Sequence, residues 1–283
     1  MALQIQLKKI GYANVGQPDG MFGPRTADIV REFQKSQGLK VDGIVGSRTW
    51  QLLFKAKSRS GCSANKLESV IKELTQPHRY QNSIRWHLTP EGIVIGDKAP
   101  ETFGGEPKTV RRVWANFGTY IEEWAAGFSV PVELIMATVC TETQGDATAV
   151  REEPGFISDE KTPNKVSPGL MQTLISTARS VLGDDSIDRA WLLEPGNAIR
   201  AGTAYIARQW KKTHFDPPKS ACAYNAGGVY HNDSPKNRWK MRQYPINSSE
   251  HADRYVKWFN ECFVMFRKDN LSPKKSFFRL LQS

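Results

Sequence analysis

No stretch of this 283-residue chain approaches the roughly 18 consecutive apolar residues of a membrane-spanning helix, so none is expected. Cysteine is scarce. Cys62, Cys140, Cys222 and Cys262 form no CxxC pair and no metal-ligand spacing, which argues against a disulfide framework and leaves reduced thiols as the expectation. The five histidines (His78, His87, His214, His231, His251) make no HExxH arrangement, so neither metal nor cofactor is expected. The first ten residues alternate polar and apolar around Lys8 and Lys9 and lack the apolar core of a secretory signal, which predicts a cytoplasmic start.

Basic charge is plentiful and unevenly spread. The formal net charge is +10, with +5 over residues 1–57, +1 over 58–126, −5 over 127–200 and +9 over 201–283. A basic protein of this size is drawn to polyanions: nucleic acid, anionic lipid or an acidic wall polymer. No helix-turn-helix, RNP or zinc motif accompanies the charge, so nucleic acid is not expected. Hydrophobic residues make up 39% and aromatics 10%, enough for sizeable cores. At roughly 100–200 residues per domain the length predicts two of them.

A short repeat marks the first. Asp19-Gly20-Met21-Phe22-Gly23-Pro24-Arg25-Thr26 recurs as Asp42-Gly43-Ile44-Val45-Gly46-Ser47-Arg48-Thr49. Each copy reads as a turn leading into a helix: Asp-Gly supplies turn chemistry, the second glycine allows positive φ, and the threonine caps an orphan amide. Ile29, Val30 and Phe33 lie at helical spacing between the copies, and Trp50, Leu52 and Leu53 follow the second. With Phe33-Gln34 and Thr49-Trp50, the pattern resembles the peptidoglycan-binding domain family, a three-helix cell-wall module. The resemblance implies wall binding through Asp19, Gly20, Phe22, Asp42, Gly43 and Trp50. The domain is expected over 1–56, and a polar, basic linker over 57–65.

The rest, 66–283, is expected to be the larger domain. Residues 66–74 predict a short helix, and 84–95 a hairpin around Thr89-Pro90-Glu91-Gly92, read as a small appendage. Val110, Val113, Trp114, Phe117, Ile121 and Trp124 predict an amphipathic helix ending at Gly127.

The chemistry begins at Glu142. Pro131 can open a helix continuing through Thr143. In that helix Glu142 extends the apolar stripe of Ile135, Thr138 and Val139 toward the core. Burying a carboxylate raises its pKa, and a carboxylic acid neutral near pH 7 is what a general acid requires. A glutamate rotated outward at the helix end is the bland alternative. Downstream come Ser167-Pro168-Gly169-Leu170-Met171-Gln172, Ala223-Tyr224-Asn225-Ala226-Gly227 and Tyr255-Val256, the last within a helical stripe of Phe259, Cys262, Phe263 and Phe266.

In that order these motifs resemble the catalytic domain shared by soluble lytic transglycosylases and goose-type lysozymes. The resemblance implies a mainly α, lysozyme-like domain with a core at about 109–268 and a minor β-hairpin. The implied activity is cleavage of the β-1,4 bond between N-acetylmuramic acid and N-acetylglucosamine, with Glu142 as acid and base and a 1,6-anhydro product. It implies that Tyr255 positions Glu142, and that Ser167, Met171, Gln172, Tyr224 and Asn225 bind the glycan. Domain order adds a resemblance to modular bacteriophage endolysins, monomeric proteins that leave the host cytoplasm to degrade the periplasmic wall. The sequence departs twice from the family pattern: Thr143 stands for serine, and His251 stands where a glutamate often lies.

Three alternatives stay open. A muramidase would use water activated by a second carboxylate, for which Asp146, Glu152 and Glu153 are available, Asp146 sharing the Glu142 face only if the helix continues past Gly145. A non-catalytic wall-binding or virion protein would bind without cleaving. A peptidase built on Cys140 or Cys222 lacks an ordered histidine partner. The terminal run Lys274–Leu281 either docks as a helix or meets anionic outer-membrane lipid.

Overall fold

The computed structural model describes residues 2–10, 12–16, 18–55 and 64–282. Most of the linker expected over 57–65 lies outside them, as does Cys62. The chain divides into two units, 1–62 and 63–283, and is mainly helical in both.

In the first unit, helices α1 (Ala2–Lys9), α2 (Pro24–Ser36) and α3 (Ser47–Lys55) enclose Leu3, Leu7, Val15, Ile29, Val30, Phe33 and Leu53. The repeat does lead into helices, but its glycines divide the work differently from the expectation. The first glycine of each copy takes positive φ (Gly20 at 81°, Gly43 at 72°). Gly23 is extended and caps α2 ahead of Pro24, where the missing amide costs nothing. A glutamine locks each turn. Gln4 donates from Nε2 to Asp19 Oδ1 (2.7 Å) and accepts from the Gly20 amide (2.9 Å). Gln34 repeats this with Asp42 (2.9 Å) and Gly43 (2.8 Å). The threonine hydroxyls accept from the same glutamines, at 3.2 and 3.3 Å, instead of capping an amide.

The second unit opens with α4 (Ala64–Leu74) and a hairpin, β1 (Trp86–Thr89) paired antiparallel to β2 (Gly92–Ile95) with Trp86 opposite Ile95. This hairpin is anchored in the core, not appended to it. Trp86, Leu88, Ile93 and Ile95 are buried, and the Asn260 amide bonds both the N–H (2.7 Å) and C=O (3.3 Å) of Ile93. Asp216 holds the other side, accepting from His78 Nε2 (2.9 Å), Trp86 Nε1 (3.1 Å) and Lys219 (3.2 Å).

Then come α5 (Lys108–Phe128), α6 (Val132–Glu142), β3 (Val150–Glu152), β4 (Val166–Pro168), α7 (Ile175–Leu182), α8 (Arg189–Leu193) and α9 (Pro195–Arg208). The order closes with α10 (Trp210–Thr213), α11 (Pro217–Ala226), α12 (Glu250–Lys268) and α13 (Phe277–Leu281). Helix α5 runs one residue past Gly127, and Ser129, not a glycine, takes the left-handed cap at φ 56°. Helix α6 is the axis of the unit, packed against α12 and α5. Every residue from Val132 to Thr141 is buried, so the helix has no solvent face and the expected stripe is the whole cylinder.

The terminal run docks. Phe277 and Phe278 are buried beside Phe259, Phe263 and Phe266 of α12. Their amides and the Ser276 hydroxyl all donate to the buried carboxylate of Glu133 on α6. The two aromatic side chains that a lipid surface would need are therefore already inside the protein.

Candidate active site

Helix α6 ends at Glu142, where the wholly buried helix first reaches partly exposed residues. The Glu142 side chain keeps 19% of its surface exposed. Burial pushes its carboxyl up to about 7, against the opposing pull of Arg254 and Arg151. A large fraction therefore carries its proton at neutral pH while an edge remains open, which suits a general acid.

The next motif is tied to it directly. Thr143 donates from Oγ1 to the Leu170 carbonyl at 2.8 Å. The turn holding Leu170 can only be built on glycine: Gly169 sits at φ 80°, and a Cβ there would lie 2.0 Å from the Leu192 carbonyl oxygen. Gln172, itself at φ 47°, donates to the carbonyls of Gly169 (2.9 Å) and Ala149 (3.1 Å) and accepts from Ser167 Oγ (3.3 Å). Ser167 lies on β4 opposite Arg151 of β3. Three-residue strands leave no periodicity to read, so this second antiparallel pair was not legible in the sequence.

Met171 is wholly buried, its sulfur seated where Gly202 of α9 has no side chain. With no exposed surface it cannot touch a glycan, a correction to its expected contact. Tyr224 of α11 donates to the Met171 carbonyl (2.8 Å), and its oxygen lies 2.8 Å from Thr173 Oγ1. Burial pushes its phenol well above the ordinary value, with nearby Glu142 adding to the effect.

Asn225 has both ends of its amide engaged. Oδ1 accepts from the Tyr244 amide at 2.6 Å, and Nδ2 lies 3.4 Å from His251 Nδ1. His251, seen in the sequence only as a departure, is brought to the site: its Nε2 lies 3.8 Å from Glu142 Oε1. Tyr255 was expected to position Glu142. Its hydroxyl instead donates to the Leu134 carbonyl at 3.0 Å, some two turns back along α6, fastening α12 to that helix.

The other carboxylates are occupied locally. Helix α6 stops before Gly145 (φ 91°), and Asp146 accepts from the Thr148 amide (2.8 Å) and hydroxyl (2.7 Å). Glu152 pairs with Arg189 at 2.7 Å and Glu153 with Arg151 at 2.9 Å. Burial pushes the Cys140 and Cys222 thiols far up, which leaves no activated nucleophile at either. Among the described residues no three His, Cys, Asp or Glu side chains are grouped as metal ligands would be.

In the first unit, Asp19, Gly20, Asp42 and Gly43 hold the two glutamine-locked turns, and Trp50 packs on the core beside Phe54. The exposed apolar groups of the repeat are Met21, Phe22 and Ile44.

Comparison with known proteins divides the chain along similar lines. Residues 1–53 match the model of a putative peptidoglycan binding domain, and residues 119–258 match that of the transglycosylase SLT domain. A spore cortex-lytic enzyme of Bacillus cereus is 44% identical over 64 residues, covering 23% of this chain and 24% of that protein. The zinc D-Ala-D-Ala carboxypeptidase of Streptomyces albus G is 39% identical over 54 residues, 18% of this chain and 21% of that one. The chain thus spans about a quarter or less of the length of these curated relatives. Among solved structures, an inactive mutant of the lytic transglycosylase Slt of Pseudomonas aeruginosa aligns with 98% of this chain and 57% of its own. The TM-score is 0.40 and the identity 12%. The likeness is therefore to a transglycosylase SLT domain behind a putative peptidoglycan binding domain, each matched over part of the chain.

Proposed function

We propose that the protein is a lytic transglycosylase that cleaves the β-1,4 bond between N-acetylmuramic acid and N-acetylglucosamine in peptidoglycan. The observation that carries this reading is Glu142, a mostly buried carboxyl pushed up to about 7 by burial within the segment that matches the SLT domain. Glu142 protonates the leaving glycosidic oxygen as an oxocarbenium-like state develops. The resulting carboxylate then takes the proton of the muramic C6 hydroxyl while that oxygen closes on C1. The product ends in a 1,6-anhydro ring, and the acid is regenerated.

The intramolecular closure is favoured over attack by water because each alternative base is engaged elsewhere. Asp146 accepts from Thr148, Glu152 pairs with Arg189, and Glu153 pairs with Arg151. An inverting hydrolase needs a free carboxylate about 6.5–9.5 Å from its acid to activate that water. Tyr224, Asn225, Ser167 and Gln172 shape the glycan cleft in this reading, and the first unit carries the enzyme to the wall.

We also read the order of the two domains as that of a modular bacteriophage endolysin. It would be made in the host cytoplasm, reach the periplasmic wall through a separate pore and act there as a monomer to lyse the host. The basic charge of +10 suits an anionic wall polymer.

Digestion of purified sacculi, with Glu142→Gln alongside, tests the chemistry. Soluble fragments ending in anhydro-muramic acid, absent from the variant digest, are the expected result. Reducing-end muramic acid would make the protein a muramidase. Binding without release of fragments would leave a wall-binding protein and no enzyme.

A further inference from the structure

From the loop before α12 to the end of α6, three polar contacts run in sequence. The Tyr244 amide donates to Asn225 Oδ1 at 2.6 Å, which fixes the orientation of the side-chain amide and turns Nδ2 toward His251. An amide nitrogen can only donate, so Nδ1 of His251 accepts and the single proton of the neutral ring resides on Nε2. Nε2 faces Glu142 Oε1 at 3.8 Å. The His251 side chain is only 4% exposed, at the first turn of α12. Burial, with Arg254 adding to it, pushes the imidazole down to about 3, so the ring meets Glu142 as a neutral donor and not as a cation.

We propose that His251 is a positioning residue, held in one tautomer by Asn225, whose Nε2–H is aimed at Oε1 of Glu142 and so places the acid proton on Oε2. The inference rests on the reading of Glu142 as acid and base. Oε1, facing a donor, is the oxygen without the proton. Oε2 delivers its proton to the leaving glycosidic oxygen and later collects one from the muramic C6 hydroxyl. Between those steps Glu142 is a carboxylate, and the 3.8 Å gap closes to a charge-assisted hydrogen bond, as catalytic contacts tighten once substrate is bound. The other ionisable groups around the pair are Arg254 and Tyr255 of α12, Arg151 of β3 and Tyr224 of α11. None of them supplies a neutral N–H to Oε1, and that is what His251 adds.

The test compares wild type, His251→Ala, His251→Gln and Glu142→Gln in the full chain on dye-labelled sacculi, over pH. His251→Ala is expected to lower kcat by roughly 10- to 100-fold with apparent KM little changed. It should also move the basic limb of the pH profile upward, because the carboxylate has lost a donor. His251→Gln, which keeps an N–H, should restore most of both. A His251→Ala protein with wild-type kcat and an unmoved limb overturns the proposal, and so does a folded His251→Gln protein as impaired as His251→Ala. Should the alanine variant fail to fold, nitrogen NMR of the wild-type ring decides instead: a neutral Nε2–H tautomer at pH 5 supports the proposal, and an Nδ1–H tautomer or an imidazolium overturns it. Full turnover in Glu142→Gln would remove the acid–base reading itself. An inactive Glu142→Gln beside an unaltered His251→Ala would remove only the role of His251.

Discussion

The Thr143 hydroxyl, one residue beyond the catalytic candidate, donates to the Leu170 carbonyl at 2.8 Å and so couples the end of α6 to the turn that carries Gln172. The same oxygen accepts from the Gly145 amide at 3.3 Å. It therefore holds both the exit of the helix and the turn at Leu170.

Thr143→Val keeps the shape and removes the hydroxyl, leaving the Leu170 carbonyl without its donor. Stability should fall by about 1–3 kcal/mol, and turnover on sacculi by about tenfold or more as the turn loosens. Thr143→Ser should remain close to wild type in both respects. Equilibrium denaturation and a turbidity assay on the same three proteins check this. A valine variant with unaltered turnover would show that the tie does not position the turn for catalysis.

Glu142 makes a pH-dependent contribution whose sign follows from the direction of its shift. Its carboxyl is raised to about 7 in the folded protein, above the ordinary 4.5, so the folded state holds the proton more tightly than the unfolded chain. The unfavourable burial is absent below about 4.5, grows as pH rises, and is complete above about 7. Glu142→Gln removes it. The variant should match wild type near pH 4 and exceed it in stability near pH 8 by on the order of 3 kcal/mol. Thermal unfolding at the two pH values measures this. A variant no more stable than wild type at pH 8 would mean that the carboxyl is solvated after all. Wild-type turnover should decline through the same range, because the acid form starts the reaction.

The sequence already held the order of the site, because its motifs sit at chain positions where backbone geometry is restrictive. Gly169 has no room for a Cβ, and Glu142 ends a helix whose periodicity placed it inward. It did not hold what depends on contacts between distant segments. Tyr255 looked like a partner for Glu142, but its hydroxyl meets the Leu134 carbonyl, and no one-dimensional pattern encodes which carbonyl a buried phenol finds. Met171 looked like a glycan contact and is wholly buried, because Gly202, far along the chain, leaves a hole for its sulfur. His251 reached the site through Asn225 and Tyr244, residues that only the fold brings together. In the first unit a usable sign was present: Leu3-Gln4 precedes one Asp-Gly turn as Phe33-Gln34 precedes the other. The paired apolar-Gln steps mark the residues that lock the repeat.

Glu133 controls whether the C-terminal run stays docked. It is fully buried on α6 and accepts from the Ser276 hydroxyl and the amides of Phe277 (3.1 Å) and Phe278 (2.9 Å), the otherwise unpaired donors at the start of α13. Three donors around one carboxylate offset much of the cost of burying it, although burial still leaves its pKa raised. Glu133→Ala strands those donors and should destabilise the second unit by on the order of 3 kcal/mol. Ser276→Ala, which removes one donor and leaves two, should cost less, near 1 kcal/mol. If the docked state is what keeps Phe277 and Phe278 from lipid, wild type should ignore anionic vesicles, whereas Glu133→Ala should bind them through the released Lys274–Leu281 segment. Vesicle co-sedimentation of wild type, Glu133→Ala and Glu133→Ala truncated after residue 271 separates the cases. Binding by wild type that survives the truncation would place lipid contact elsewhere on the basic surface. Binding gained in Glu133→Ala and lost on truncation would show that the fold withholds a membrane-active tail.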